Sequence, residues 1–361
     1  MSEPRRITFP HMGDYWIAFK RIAELGGGEA VVPPRITRRT IELGARYSPE
    51  FVCVPFKYTL GSLIEGIELG ANVAVQLCGG CRFSYYAEVQ EAILRDLGHD
   101  VDFVSLQGGA NLLEVMLDFR RKVAPHRSLA GIGRAFLNTF RMGEAIDEIG
   151  GRVRRDLAFE AEPGSLKKVE ADFLRDLDAT KTPREVKEVR RAANEALDRV
   201  ALDRPERPVR VLVVGELYVV MEPYSNCRIE DELSANGIEV HRPLDVTTLI
   251  RHSISHRVHI PRMVDGAAPY VTRHLGAEGT ESVARTLTAI REGFDGVVHL
   301  KPFGCMPEVN AMAALQRISR EHTFPILFVS CDAQSADAGL HTRVEAFADM
   351  LRIREAGVLY A

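Results

Sequence analysis

The sequence lacks the features typical of membrane and nucleic-acid-binding proteins. No uninterrupted apolar run approaches the ~18 residues that a membrane-spanning helix needs, and the N-terminus MSEPRRITFPH has no apolar segment of a secretion signal. The 46 Lys and Arg residues are balanced by 50 Asp and Glu, so a formal net charge of −4 provides no basic field. We therefore expect a cytoplasmic protein that binds neither nucleic acid nor a membrane.

Nucleotide-binding patterns are also missing from the sequence. No P-loop occurs. The stretch GIGRAF at residues 131–136 has two glycines of a dinucleotide-binding fingerprint, but it lacks the third and lies in a helical pattern without a preceding strand. Any use of ATP is therefore expected to belong to a separate protein.

Cysteine is scarce, with six residues in a chain of 361. Without a secretion signal these cysteines do not predict a disulfide framework, because reducing cytosol keeps thiols free. Each cysteine is then a buried small hydrophobe, a redox thiol or a metal ligand.

Short apolar runs alternate with helical patterns in the first half of the chain. Strands are predicted at Ile7 to Met12, Phe51 to Phe56, Val73 to Leu77 and Val101 to Leu106, and a helical pattern follows each of them. Such alternation, with connections of a few residues, predicts an α/β fold whose parallel sheet is covered on both faces.

A second series of strands and helices begins near Val209. Between Gly109 and about Arg204 the pattern is mostly helical and becomes highly charged, which indicates a helical insert followed by a connecting helix. We therefore predict two Rossmann-like, doubly wound parallel-sheet domains, residues 1–205 and 206–361, with the helical insert and connector in the first.

Three cysteines stand where a predicted strand gives way to a turn or helix: Cys53, Cys81 and Cys305. The surrounding stretches are FVCVPFK at 51–57, CGGCR at 78–82 and KPFGCMPE at 301–308. The strand ends of an open parallel sheet share one edge, where ligands bind. Three thiolates could therefore meet around one metal cluster.

The other three cysteines are weaker candidates. Cys78 is separated from Cys81 by two glycines before a predicted helix, a spacing that favours metal ligation or a redox dithiol over packing. Cys227, at a predicted helix start, and Cys331, at a strand end, lack this glycine context, so core thiols are the favoured interpretation. As further ligands they would bring the total to six, enough for two subclusters.

Five stretches distributed over nearly the whole chain carry a family resemblance. They are CVPFK at 53–57 with Gly61, GGCRF at 79–83 with Tyr85 and Tyr86, GELY at 215–218 leading to Glu222 and Pro223, PFGCMPE at 302–308, and GLHTRVEAF at 339–347. In these residues the chain resembles the 2-hydroxyacyl-CoA dehydratase superfamily, especially its branch of CoA protein activase or acyl-CoA dehydratase activase-related proteins.

The resemblance implies an oxygen-sensitive 4Fe-4S cluster between two Rossmann-like domains, held by Cys53, Cys81 and Cys305. It also implies a partner, an ATP-dependent activator protein with its own iron-sulfur cluster, and an acyl-CoA-like substrate. The chain would then be a lyase for radical dehydration or reduction in anaerobic metabolism, or the electron-transfer component of one. Lys57 and Arg82 would tune the cluster potential, unless they are ordinary surface cations.

Three alternatives stay open. A related branch carries a double-cubane 8Fe-9S cluster, which would add Cys78, Cys227 and Cys331 as ligands. A metal-free thiol-disulfide protein would need only Cys78 and Cys81. The third alternative is a non-catalytic scaffold protein with a structural metal.

One further segment, RHSISHRVHIPR at 251–262, concentrates histidine and arginine. His252, His256 and His259 could bind a metal such as zinc or contact a phosphate group. No carboxylate or cysteine lies nearby in the sequence, so an ordinary solvated loop is the favoured interpretation.

Overall fold

The structure is a computed structural model that describes residues 4–25, 27–78, 81, 85–107, 112–334 and 337–355. These residues form an α/β protein with two four-stranded sheets in which all strand pairs are parallel, which confirms the predicted α/β class with parallel sheets. The chain divides into two compact units, Met1–Glu144 with Leu249–His256, and Ala145–Thr248 with Arg257–Ala361. The predicted domain boundary at residue 205 stays a prediction.

The first sheet belongs to the first unit. Its strands are β1 Arg6–Thr8, β2 Glu29–Ala30, β3 Val73–Cys78 and β4 Asp102–Gln107, in the order β2-β1-β3-β4. The helices in this part of the chain are α1 Trp16–Leu25, α2 Arg38–Tyr47, α3 Val54–Glu68, α4 Tyr86–Asp96 and α5 Leu112–Lys122. The strands predicted at Val73 to Leu77 and Val101 to Leu106 are thus confirmed.

Helices cover both faces of the first sheet. Successive side chains of a strand point to opposite faces, and β4 shows this clearly. Val104 and Leu106 pack in one hydrophobic cluster with Phe119 of α5, whereas Phe103 packs in another with Phe56 of α3 and Leu94 of α4. The expectation of a sheet buried on both sides is therefore met here.

The predicted strand from Phe51 to Phe56 is wrong. Helix α3 begins at Val54, with Cys53 as its N-cap and Pro55 in the first turn. A short apolar run does not distinguish a buried strand from a buried helix. Proline suits the first turn of a helix because its missing N–H would have no partner in the helix there.

The second sheet belongs to the second unit. Its strands are β5 Arg210–Gly215, β6 Glu239–His241, β7 Gly296–Pro302 and β8 Ile326–Cys331, in the order β6-β5-β7-β8. The other helices of the chain are α6 Leu129–Asp156, α7 Ser165–Ala179, α8 Pro183–Leu197, α9 Leu217–Met221, α10 Ile229–Ala235, α11 Val246–Ile254, α12 His256–Ala267, α13 Gly279–Arg291, α14 Met306–Glu321 and α15 Asp337–Glu355. A short 3₁₀ helix spans Leu157–Phe159.

The carboxyl ends of β5, β7 and β8 are aligned by their register. Gly215 pairs with Leu300, and Pro302 pairs with Cys331. Strand β6 lies on one side of β5, and β7 lies on the other. The point at which the strand order reverses is therefore between β5 and β7. Ligands of open α/β sheets bind outside the carboxyl ends at such a point.

Two other sequence expectations meet the structure here. The mostly helical pattern predicted between Gly109 and Arg204 is confirmed in the described residues, since α5, α6, α7 and α8 fill most of residues 112–197. The segment at 251–262 is not a loop, because α11 and α12 cover most of it. In the part of the chain that the structure describes, no helix combines the length and apolarity needed to cross a membrane.

Helices α2 and α3 pack closely through two glycines. A Cβ atom on Gly61 would lie 1.9 Å from the carbonyl oxygen of Thr40, and a Cβ atom on Gly44 would lie 1.7 Å from that of Lys57. Only glycine permits these two backbones to approach so closely.

Gly61→Ala should therefore lower the free energy of unfolding by about 2–3 kcal/mol, because the added methyl group forces α2 and α3 apart. Urea unfolding measures this change. The control is Gly339→Ala in α15, where nothing lies within 4 Å of the added methyl group. It should change stability by less than about 0.5 kcal/mol. Equal losses in both variants would contradict the steric explanation.

Candidate functional site

Cys53 lies at the N-terminus of α3 as its N-cap residue and is half-buried. Its Sγ atom lies 2.6 Å from the hydroxyl oxygen of Tyr86, the first residue of α4. The partial positive charge of a helix N-terminus favours the thiolate form of such a cysteine. The thiol therefore has two neighbours that stabilise negative charge on sulfur.

Tyr86 is a buried phenol that two cysteines, Cys53 and Cys81, influence. Burial raises the pKa of Tyr86 above its usual value, and the negative charges of Cys53 and then Cys81 raise it further. The hydroxyl group therefore keeps its proton at neutral pH. Cys53 therefore contacts this phenol directly, and Cys81 acts on it through its charge.

The position of Tyr86 against Cys53 is fixed by contacts between α3 and α4. The Tyr86 ring meets the ring of Phe56 edge-on, with centroids 4.7 Å apart. The Gln90 side-chain amide donates hydrogen bonds to Thr59 Oγ1 at 2.8 Å and to the carbonyl of Phe56 at 3.3 Å. Packing and buried hydrogen bonds therefore hold the two helices in register around the thiol.

The remaining predicted groups of the first unit are only partly described. Cys81 is exposed and lies between the end of β3 and the start of α4, as the sequence predicts. Cys78 is the last residue of β3, but its side chain lies outside the described residues, as does all of Arg82. Lys57 is half-buried in α3, four residues after Cys53.

Cys305 holds an equivalent local position in the second unit. It follows the end of β7 and is the N-cap of α14, whose first turn contains Pro307. Its backbone N–H donates to the carbonyl of Pro302 at 3.1 Å, and its own carbonyl accepts from Val309 at 2.9 Å. The predicted strand, turn and helix around this half-buried cysteine are confirmed.

Cys227 and Cys331 lie in the second unit too, and Cys331 is a buried thiol. Cys331 ends β8, while Cys227 precedes α10 with a positive φ of 54°. Burial, followed by the charge of Cys227, raises the pKa of Cys331 to about 12. Cys331 therefore stays protonated at neutral pH, which agrees with its interpretation as a core thiol.

A group of acids, of which Glu308 is buried and Glu216 and Glu278 are half-buried, lies at the carboxyl edge of the second sheet and was missed by the sequence reasoning. Glu216 follows β5 directly, and its carboxylate accepts hydrogen bonds from the backbone N–H groups of Tyr218 and Val219 at 3.2 and 3.0 Å. Burial raises the pKa of Glu216 to about 7, these bonds oppose the rise, and the charge of Glu308 adds to it. Glu216 therefore exchanges its proton near neutral pH.

Glu308 lies in the first turn of α14, three residues after Cys305, and is fully buried. It lies 2.7 Å from Nε2 of His299, and it accepts a 3.2 Å hydrogen bond from the Ser282 hydroxyl. Burial, and then the charges of Glu216 and Glu308, raise the pKa of Glu278 well above its usual value. Three carboxyl groups thus influence one another beside the helix that Cys305 caps.

One feature of the sequence could have indicated two of these acids as functional residues. Glu216 and Glu308 each follow the end of a central strand, β5 or β7, where functional groups of α/β sheets collect. Glu278 has no such signal, because its role depends on the folded position of the turn before α13.

The histidine segment acquires a carboxylate partner through the fold. Nε2 of His259 on α12 lies 3.7 Å from Glu281 on α13, and Glu281 also accepts a 2.6 Å hydrogen bond from Arg285. The carboxylate that the sequence did not show nearby is therefore present but already paired with a cation. The side chain of His256 lies outside the described residues.

The described thiols offer the type of donor atom that a sulfur-bound metal centre needs. Soft thiolate ligands select zinc, copper(I) or iron-sulfur clusters. The Cys53 sulfur contacts the buried Tyr86 hydroxyl, the charge of Cys81 acts on the same phenol, and Cys53 and Cys305 are the N-cap residues of α3 and α14. The carboxyl group of Glu216, with a pKa near 7, directly follows β5, the strand that pairs with β7, which leads to Cys305.

Comparison with known proteins adds no family. No protein-family model matches the chain, and no curated protein matches it in sequence. Function is therefore argued from the residues of the site.

The raised pKa of Glu216 predicts a pH-dependent stability. The folded state binds more protons than the unfolded state between about pH 4.5 and 7, so the free energy of unfolding falls as pH rises through this window. Between pH 5 and 8 the wild type should lose roughly 2–3 kcal/mol relative to Glu216→Gln, which has no proton to release.

Urea unfolding at a series of pH values measures this difference. Glu206→Gln, at an exposed position, is the matched control and should follow the wild type. Parallel curves for the wild type and Glu216→Gln would show that Glu216 is not the group that titrates.

Proposed function

We propose that this chain is an iron-sulfur protein of the 2-hydroxyacyl-CoA dehydratase type, in which Cys53, Cys81 and Cys305 bind a 4Fe-4S cluster. The observation that carries the proposal is the contact of the Cys53 sulfur with the buried hydroxyl of Tyr86, a phenol whose pKa the charge of Cys81 also raises. The local position of Cys305, after a central strand and at a helix N-terminus, supports it. The proposal includes two Rossmann-like, doubly wound domains.

The accessibility of these thiols favours ligation over packing. Free cysteine is among the most buried residue types, yet Cys81 is exposed and Cys53 and Cys305 are only half-buried. Three protein thiolates leave one iron of a four-iron cluster without a protein ligand. When bound, such a cluster supplies one-electron chemistry at that open iron.

Large apolar side chains beside the cysteines support binding of a partner or substrate. Phe51 is 93% exposed and Phe303 73%, and each lies two residues from one of the three cysteines. Exposed apolar surface of this kind marks interaction sites. We propose an acyl-CoA-like substrate and, as electron donor, a separate ATP-dependent activator with its own cluster, since the sequence has no P-loop.

The second function that we propose is proton transfer by Glu216, at the carboxyl edge of the second sheet. A carboxyl group with a pKa near 7 can donate or accept a proton at working pH, which dehydration of a hydroxyacyl group requires. We therefore propose that the chain is a lyase. In a simpler form of the proposal it is only the electron-transfer component of such an enzyme.

A second candidate is the metal-free thiol-disulfide protein. The exposure of Cys81 favours it, because thiol-disulfide exchange needs an accessible sulfur. The double-cubane alternative needs thiolates at all six cysteines, and the raised pKa of Cys331 disfavours that state.

Anaerobic reconstitution with iron and sulfide should give a brown protein with about four irons per chain. Cys53→Ser, Cys81→Ser and Cys305→Ser should each lose most of the bound iron, because each removes a ligand. Iron and acid-labile sulfide analysis with visible absorption measures the result. Cys331→Ser, at the buried thiol, is the matched control and should keep full iron content.

Other outcomes separate the alternatives. About eight irons per chain, lost in Cys331→Ser, would support the double-cubane form. Bound zinc without sulfide would indicate a structural metal. A colourless protein that loses two thiols on oxidation would contradict the cluster and support the dithiol of Cys78 and Cys81.

A further inference from the structure

The contact between Tyr86 and Cys53 is built by the fold rather than left to a surface side chain. Tyr86 is only 8% exposed, and its hydroxyl oxygen lies 2.6 Å from Sγ of Cys53. The two residues are 33 positions apart, so tertiary structure has to bring them together. Solvent cannot easily replace a buried donor of this kind.

The first turn of α3 fixes both ends of the contact. The backbone N–H of Phe56 donates to the carbonyl of Cys53 at 3.1 Å, and the Phe56 ring packs edge-on against the ring of Tyr86. Phe56 therefore contacts both Cys53 and Tyr86, so the turn that carries the sulfur also orients the phenol. A rigid support of this sort is what a ligand sulfur needs to hold one direction.

The direction of the hydrogen bond follows from the chemistry of a metal-bound sulfur. A thiolate that ligates iron carries no proton, so only the Tyr86 hydroxyl can donate. A bond from a neutral donor to an anionic acceptor is stronger than one between neutral groups. Hydrogen bonds to the sulfurs are among the factors that set the reduction potential of an iron-sulfur cluster.

We propose that Tyr86 is a positioning residue that donates a hydrogen bond to the Cys53 sulfur, orients it for ligation and raises the reduction potential of the cluster. This inference rests on the proposed function, because it assigns Tyr86 a role toward the ligand Cys53. Reduction adds negative charge to the cluster and its sulfurs, and a fixed donor stabilises the reduced state more than the oxidised one.

The chain supplies its own control in the preceding residue. Tyr85 has the same side chain, but it is 71% exposed and caps α4 without a side-chain hydrogen bond to the helix. Tyr86→Phe keeps the ring and its contact with Phe56 and removes only the hydroxyl. Tyr85→Phe removes the same atom from the surface.

The test is a redox titration of the reconstituted wild type, Tyr86→Phe and Tyr85→Phe, followed by visible absorption and electron paramagnetic resonance. Tyr86→Phe should have an equilibrium constant for reduction about tenfold lower, which is a shift of about −59 mV for one electron. Tyr85→Phe should keep the wild-type potential. An unchanged potential in Tyr86→Phe, or an equal shift in both variants, would overturn the inference.

A second measurement, on cluster-free protein, separates this inference from the proposed function. A double-mutant cycle of Cys53→Ala and Tyr86→Phe should show a coupling of about fivefold in the folding equilibrium constant, whereas the cycle with Tyr85→Phe should show none. If the cycle shows coupling but the chain binds no iron, the contact between Tyr86 and Cys53 stands. Both the proposed cluster and the redox role of Tyr86 would then be overturned. Iron binding without coupling or a potential shift would overturn the role of Tyr86 alone.

Discussion

Parallel pairing of the central strands is the constraint on which the rest of each unit depends. It directs every strand of a sheet to one edge, and the helices that follow the strands begin at that edge with their N–H groups unpaired. In the second unit the pairing of β5 with β7 requires glycine at 215, because a Cβ atom there would lie 1.8 Å from the Leu300 carbonyl oxygen. Glu216 and Cys305 owe their positions to this close pairing.

Both units place negative groups beside proton donors at helix starts. The Cys53 sulfur meets a phenol that burial keeps protonated, and Glu216 accepts two backbone N–H groups of α9. A neutral donor stabilises a negative group by a hydrogen bond without adding a second charge. In a poorly solvated site this stabilisation is stronger than in water. The sequence pointed instead to the cations Lys57 and Arg82, because a charge is visible in a sequence whereas the orientation of a hydroxyl is not.

The elements that the sequence predicted well are those with a local signal. Strands β3, β4, β5, β7 and β8 are short apolar runs bounded by turn residues, and the turn before Cys305 carries its own glycine and proline. The run at Phe51 to Phe56 failed because α3 is apolar on almost every side, so that its start resembles a buried strand. Tyr86 and Glu278 could not be assigned roles, since their partners are distant in the sequence and meet only in the fold.

The contrast between Cys53 and Cys331 argues for a single cluster over one that uses all six cysteines. Both residues lie where an element starts or ends, but Cys53 caps a helix beside a donor while Cys331 is buried near Cys227. The rise of the Cys331 pKa from 9.0 to about 12 adds roughly 4 kcal/mol to the cost of forming its thiolate. A metal bound there would have to offset that cost, and the proposed single cluster does not need this thiolate. The fold thus separates a half-buried thiol at a helix start from a buried thiol that serves packing, along the same division that glycine context indicated in the sequence.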